Sequence, residues 1–405
     1  MIKNKIFVTS RFGVITVLLF ILFSLMYRIL LPFGDEPDFR VRTFYLITNE
    51  HNWFSPYYWV APILKKLSTS LNCVISADPL SLWAKIYSPR CSESLTQILL
   101  RFSTTMFVVS PLLLVSIFRR RFYLIINTIG IKFTFLDLSK RLDILGLSLM
   151  LPGMLYYLGL LTHEQFTLVL SLFIFIFWGK IIIVTGLLML ISISDLGNAV
   201  VVFAFICLAY SFLWIIRRFG LKVGILAMIT LVIASLIVGY TALQFFEKIS
   251  FLAEKTRQME NQGALGGYRD KYPLLLRPII TFLTATFMTP SGIKVVLVNA
   301  MLGIGFIYSC VRIYKEYFVK KFLWQYNFEI NFLIFQNEII LAMSALTTIV
   351  CFVYLFPEYG NAKYYMFLVP FIITPIIQII SKLKFLRFLV SCSSLVVITL
   401  FMYHF

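Results

Sequence analysis

Asp35, Glu36 and Asp38 place three carboxylates within four positions, in GDEPDF, directly after a long apolar run. Acids are scarce in this chain, 18 Asp and Glu among 405 residues, so the cluster takes a noticeable share of them. An acid at a low-dielectric boundary tends toward a raised pKa, which suits a general base that deprotonates a sugar hydroxyl. Paired carboxylates also orient an acceptor, or offer oxygen ligands to a divalent cation. The plainer alternative is a helix end meeting water, where exposed acids cost little. Against it, Pro37 stiffens the turn, and Arg40 and Arg42 follow at once.

A second group of residues has the chemistry to hold an anion. Arg40, Arg42, Arg257, Arg269, Lys271, Arg277 and Lys363 all fall in polar segments beyond the basic loops described below. Pairing with Glu254, Glu260, Asp270 and Glu358 accounts for some of them. For the rest, the planar fork of arginine matches phosphate oxygens in a bidentate way, and a lipid pyrophosphate is the fitting anion. Arg269 and Arg277 flank a proline-rich stretch, and Lys363 directly precedes a helix. The aromatic stretch HNWFSPYYW, with His51 as a base or phosphate contact, reads either as an interfacial belt or as a platform for sugar faces. No C-x-x-C or Cys/His ligand spacing is present, and GALGGY matches neither of the glycine-rich phosphate loops. No resident cofactor is expected.

The elements that must carry these groups are membrane helices. The chain is 60% hydrophobic and 13% charged, where a soluble domain has about 25% charged residues. Apolar runs long enough to span the bilayer recur near 12–32, 96–118, 141–161, 166–193, 196–216, 223–243, 293–313, 333–356, 364–381 and 385–403. The expected fold is an all-α polytopic membrane protein of about 10–12 transmembrane helices with re-entrant or interfacial segments. Residues 1–405 read as a single integral membrane domain, with no internal repeat and no separable soluble domain. The first run reads as a retained helix.

The net charge of +18 is topological. Lys and Arg cluster between apolar runs, at Lys3, Lys5 and Arg11, at Arg119, Arg120 and Arg121, at Arg217, Arg218 and Lys222, and in two later loops. That is the positive-inside pattern rather than a nucleic-acid footprint. It sets the N-terminus inside and three segments outside, 33–95, 244–292 and 357–364. The carboxylates and the candidate anion-binding residues then share one face. The stretch from Thr162 to Arg217 fits this badly, because two crossings would leave Arg217 outside. A break at Trp178-Gly179-Lys180 repairs the count, and so does a membrane-embedded segment at 122–136. Cys73 and Cys91 share the first outer segment, where a disulfide can form in an oxidising compartment. The remaining cysteines sit in apolar runs as small apolar residues.

An acidic cluster in the first outer loop, just after helix one, resembles the arrangement in GT-C-type membrane glycosyltransferases. The segment NAKYYMFLVPFIITP is similar to the (R/K)Y…P segments of that superfamily, and RPIITFLTATFMTP is a further likeness. In layout the chain resembles the O-antigen and capsular repeat-unit polymerases of bacteria. The resemblance implies a GT-C-like fold in the bacterial inner membrane and glycosyl transfer at its periplasmic face. The donor would be a polyprenyl-diphosphate-linked glycan, and the acceptor the sugar end of another lipid-linked unit. It further implies Asp35 or Glu36 as base with Asp38 in support, arginines on the diphosphate, and a chain-length regulator and a flippase as partners. Many GT-C enzymes carry a soluble sugar-binding domain, and this chain does not, so a monophosphate-linked sugar donor stays open. A ligase and a lipid-linked oligosaccharide flippase are the other readings.

Overall fold

The computed structural model describes residues 2–30, 95–159, 163–246, 276–279, 281–282, 311, 329–355 and 362–404. Among the described residues the chain is helical and contains no strand. In chain order the helices are α1 (Ile2–Leu30), α2 (Leu95–Ile117), α3 (Arg119–Thr128), α4 (Phe135–Leu149) and α5 (Pro152–Tyr157). Then follow α6 (His163–Ile176), α7 (Ile181–Ser194), α8 (Leu196–Phe219), α9 (Leu221–Phe246) and α10 (Glu329–Leu355). A 3-10 helix (Ala362–Leu368) runs into α11 (Val369–Ile379), and α12 (Lys382–His404) follows. The chain divides into two compact units, Met1–Ala199 with Leu386–Phe405, and Val200–Phe385.

These helices face outward with large apolar side chains. On α7, Ile182 is 89% exposed, and Ile181, Met189, Leu190 and Ile193 are exposed as well. On α9, Leu226, Ile229, Ile233 and Ile237 repeat the pattern. Water would penalise such a surface at roughly 25 cal/mol per Å², whereas acyl chains do not. Three helices, within α8, α9 and α10, are each long and apolar enough to cross a membrane, and a fourth span arises if α2 and α3 count as one bent segment. The protein is an all-α membrane protein.

In the first unit, α1 packs against α2, α4 and α5, and α6 packs against α7, α2 and α4. Small residues set the closest approaches. A Cβ on Gly13 of α1 would run into the Arg119 guanidinium and lie 2.7 Å from the Ser116 carbonyl oxygen. One turn on, a Cβ on Gly146 of α4 would lie 2.8 Å from Thr16 Oγ1. Close backbone approach at small residues is how membrane helices gain packing where lipid removes the hydrophobic drive between them. Thr134 caps α4, accepting from the Asp137 N–H at 3.1 Å while its hydroxyl donates to Asp137 Oδ2 at 2.5 Å. Thr134 thus satisfies one free N–H of the first turn, and the Asp137 carboxylate in turn holds the capping hydroxyl. On α12, the Ser393 hydroxyl donates to the Met150 carbonyl at 3.0 Å, tying the last helix to the end of α4.

Two expected single helices are in fact broken. The run 166–193 forms α6 and α7, joined by a tight turn over 177–180 in which Gly179 has φ +88°. An L-residue pays for that conformation, and glycine does not. The run 141–161 likewise begins earlier, at Phe135, and stops at Leu149; Pro152 then opens the six-residue α5. Of the two repairs expected for the crossing count, the break at Trp178-Gly179-Lys180 is present. Residues 122–136 comprise the rest of α3, which turns 88° from α2 as a broken span or a re-entrant segment does, and the start of α4, with residues 124, 125, 129 and 136 exposed on the protein surface.

In the second unit, Gly220 (φ +90°) turns α8 back into α9. Phe212, Leu213 and Ile216 of α8 bury against Met228 of α9 and Ile340 of α10. The segment NAKYYMFLVPFIITP enters as the 3-10 helix and α11, and its side chains from Tyr365 to Ile373 are all buried. Phe371 packs on Phe205 with ring centroids 4.7 Å apart, and Phe367 meets the same ring edge-on at 6.0 Å.

Candidate functional site

The polar groups of the first unit segregate to its two ends. At one end, α2 stops and Arg119 turns inward, with only 2% of it exposed. Its Nη1 lies 2.7 Å from Asp143 Oδ1 of α4 and donates to Ser139 Oγ at 2.9 Å. Its Nε donates to the Ser116 carbonyl at 3.2 Å. Asp143 is 1% exposed, so the pair is removed from solvent and its charges are compensated locally.

The same end carries a cationic and aromatic corner. Arg141 Nη1 donates to the carbonyls of Phe175 at 3.2 Å and of Ile176 and Trp178 at 2.9 Å. Those carbonyls lie at and just past the C-terminus of α6, where the negative pole of the helix dipole draws the cation to them. Lys180 Nζ donates to the Lys132 carbonyl at 2.6 Å and stands 4.8 Å from the Phe133 ring centroid. The turn over 177–180 is therefore fixed beside the α3–α4 loop.

At the other end, Asp195 closes α7 and opens α8. Its Oδ1 accepts from the Asn198 N–H at 3.2 Å, and its Oδ2 accepts from the Asn198 side-chain amide at 2.5 Å. That amide also reaches Thr167 Oγ1 of α6 at 3.4 Å. Gln165, 1% exposed, donates to the Leu158 carbonyl. This is also the end where the chain leaves α1 at Leu30. Gly13 lies beside Arg119, and 17 residues separate it from Leu30, about 25 Å of helix. The GDEPDF sequence follows four residues later.

Asp35, Glu36, Asp38, Arg40, Arg42, His51, Cys73, Cys91, Arg257, Arg269 and Lys271 lie outside the described residues. Two of the expected site residues are described, and both belong to the second unit. Arg277 sits half-buried on a single helical turn over 276–279, followed by buried Thr281 and Phe282. Lys363 is half-buried at the start of the 3-10 helix, its ammonium 5.4 Å from the Tyr364 ring centroid. Among the described residues no group of three or more His, Cys, Asp or Glu is arranged to hold a metal ion. Cys351 and Cys392 are buried free thiols and Cys207 is an exposed one, as expected for cysteines in apolar runs.

The expected site omitted Asp143 and Asp195, and each had a signal. Both interrupt an apolar sequence, in LDILGLSLML and in ISISDLGNAV. An acid within a membrane segment calls for a partner, and here the partners are Arg119 and Asn198. The chain matches no family model, and no characterised protein or solved structure is similar to it.

Proposed function

We propose that this chain is a glycosyltransferase of the inner membrane that joins polyprenyl-diphosphate-linked oligosaccharide units into a surface polysaccharide. Asp35 or Glu36 takes the proton from the acceptor hydroxyl, and Asp38 orients the acceptor. Arginines of the outer segments, Arg269 and Arg277 first among them, neutralise the diphosphate as it leaves with the bond to the anomeric carbon. Such leaving-group stabilisation by bidentate cations is the main contribution a protein makes where the nucleophile is a sugar hydroxyl.

The observation that supports this reading is the excess of basic over acidic groups at one end of the first unit. The basic groups Arg119, Lys132, Arg141 and Lys180 gather at one end. The opposite end carries Asp195, Asn198 and Thr167 and is where the chain departs toward the carboxylates. The turn at Gly179 divides the 166–193 run into two helices, the break that the positive-inside rule favours.

A transporter of lipid-linked glycans is the second reading, favoured by one feature, the pair of short helices α6 and α7 around a break. Gel banding of the surface polysaccharide in a deletion strain separates the two. A single repeat unit per lipid fits the polymerase, and no repeat unit fits the transporter; full-length unattached chains would mark a ligase instead. Asp35→Asn and Glu36→Gln are expected to abolish long chains while the protein still inserts normally. Wild-type chain lengths in both variants would remove the carboxylates from the mechanism.

A further inference from the structure

We propose that the elbow between α2 and α3 is a seat for anionic phospholipid headgroups, independent of any glycan substrate. The chain bends by 88° at Phe118. Helix α3 then runs ten residues, roughly 15 Å, too short to cross a bilayer. Its inner face is set by Arg119 and Ile126, both buried, and the helix packs on α4. The opposite face carries Leu124 and Ile125, 56% and 57% exposed, and the loop adds Ile129 at 70% and Leu136 at 78%. Side chains of this size and exposure, on a helix perpendicular to a spanning one, require acyl chains beside them. This is the pattern of a helix lying in the interfacial plane.

Charge identifies the lipid. Residues 119–141 contain six Lys or Arg and a single acid, Asp137. Asp137 accepts the Thr134 hydroxyl in the cap of α4. Arg119 is committed to Asp143 and Arg141 to the carbonyls after α6. Arg120, Arg121 and Lys132 are exposed, on the same elbow as the apolar side chains. The Arg121 guanidinium stands 5.8 Å from the Phe118 ring centroid, at the level of the bend. Cations at the rim of an apolar patch face the phosphate layer when the patch enters the acyl layer, and an acidic headgroup completes them where a zwitterionic one does not. Each basic residue near an anionic surface favours binding by about fivefold at modest salt, so the three together are worth roughly a hundredfold.

The test uses the full-length protein in nanodiscs of mixed phosphatidylcholine and phosphatidylglycerol. Lipids that remain bound are counted by native mass spectrometry. Wild type is expected to enrich phosphatidylglycerol, and the enrichment should fall as salt is raised. The variant R120Q/R121Q/K132Q should lose most of it, and R120K/R121K/K132R should keep it. A benzophenone side chain at position 125 should cross-link to phospholipid on illumination. Equal enrichment in wild type and the triple glutamine variant would overturn the proposal. If that variant fails to fold, salt-independent enrichment by wild type overturns it instead. Cross-links to polypeptide alone would do the same and give the face to a protein partner.

Discussion

Asp143→Asn is the sharpest perturbation of the first unit, because it removes the buried charge that faces Arg119 while keeping the side chain's shape. Arg119 is 2% exposed, its Nη1 is 2.7 Å from Asp143 Oδ1, and its other bonds run only to neutral oxygens of Ser139 and Ser116. The amide keeps the shape and one acceptor but leaves the guanidinium uncompensated in a low-dielectric site. Breaking a buried pair in this way costs about 3–5 kcal/mol, and the retained acceptor puts the expected loss near the lower figure. A loss of about 3 kcal/mol still lowers the folded-to-unfolded ratio more than a hundredfold, a large share of an ordinary protein's stability. Replacing both partners by apolar residues, R119M/D143L, removes the stranded charge and should recover most of the loss. Reversible unfolding in mixed micelles, read by intrinsic fluorescence, measures all three proteins. An Asp143→Asn protein as stable as wild type would refute the reasoning. So would a double variant as damaged as the single one.

Gly13→Ala should cost about 1–3 kcal/mol, since its Cβ meets the Arg119 guanidinium and a backbone oxygen 2.7 Å away that cannot retreat; the same unfolding assay reads it. Gly146→Ala drives a Cβ against Thr16 Oγ1 at 2.8 Å. Combined with Thr16→Ala it should therefore lose less than the sum of the two single variants, a coupling that a double-mutant cycle detects. Gly179→Val places a β-branched residue at φ +88° and should destabilise by about 1–2 kcal/mol. Limited proteolysis within the 177–180 turn would show that loss as faster cleavage.

Helix positions were legible in the sequence because lipid demands long apolar runs, and α8, α9, α10 and α12 start and stop within a few residues of expectation. The breaks were harder to read. From 166 to 193 Lys180 is the only charged residue, and hydropathy averages over so short an interruption. The Trp178-Gly179-Lys180 break was expected from charge balance and is local in Gly179, at φ +88°; the Arg141 guanidinium across the last carbonyls of α6 adds a tertiary cause that no local pattern announces. Arg119 was misread for a related reason. In RRRFYLIINT three arginines look equivalent and topological, yet one turns inward to an aspartate 24 positions away. The NAKYY segment was recognisable as a helix entry, and its nearly complete burial follows from aromatic packing on Phe205, which depends on α8.

The short helices bear on where chemistry can happen in the membrane. Helices α6 and α7 have 14 residues each, about 21 Å of length against roughly 30 Å of hydrocarbon. Tilting would shorten their reach further, so one polar end must lie below the headgroup level or the bilayer must thin around them. The turn over 177–180 is the end that stays at the surface. Trp178 is an interfacial residue type, Lys180 and Arg141 satisfy carbonyls of the loops there, and the exposed arginines of α3 lie beside it. Asp195, between the short α7 and the 24-residue α8, has its carboxylate satisfied locally: Asn198 donates to both of its oxygens, and Thr167 extends the network.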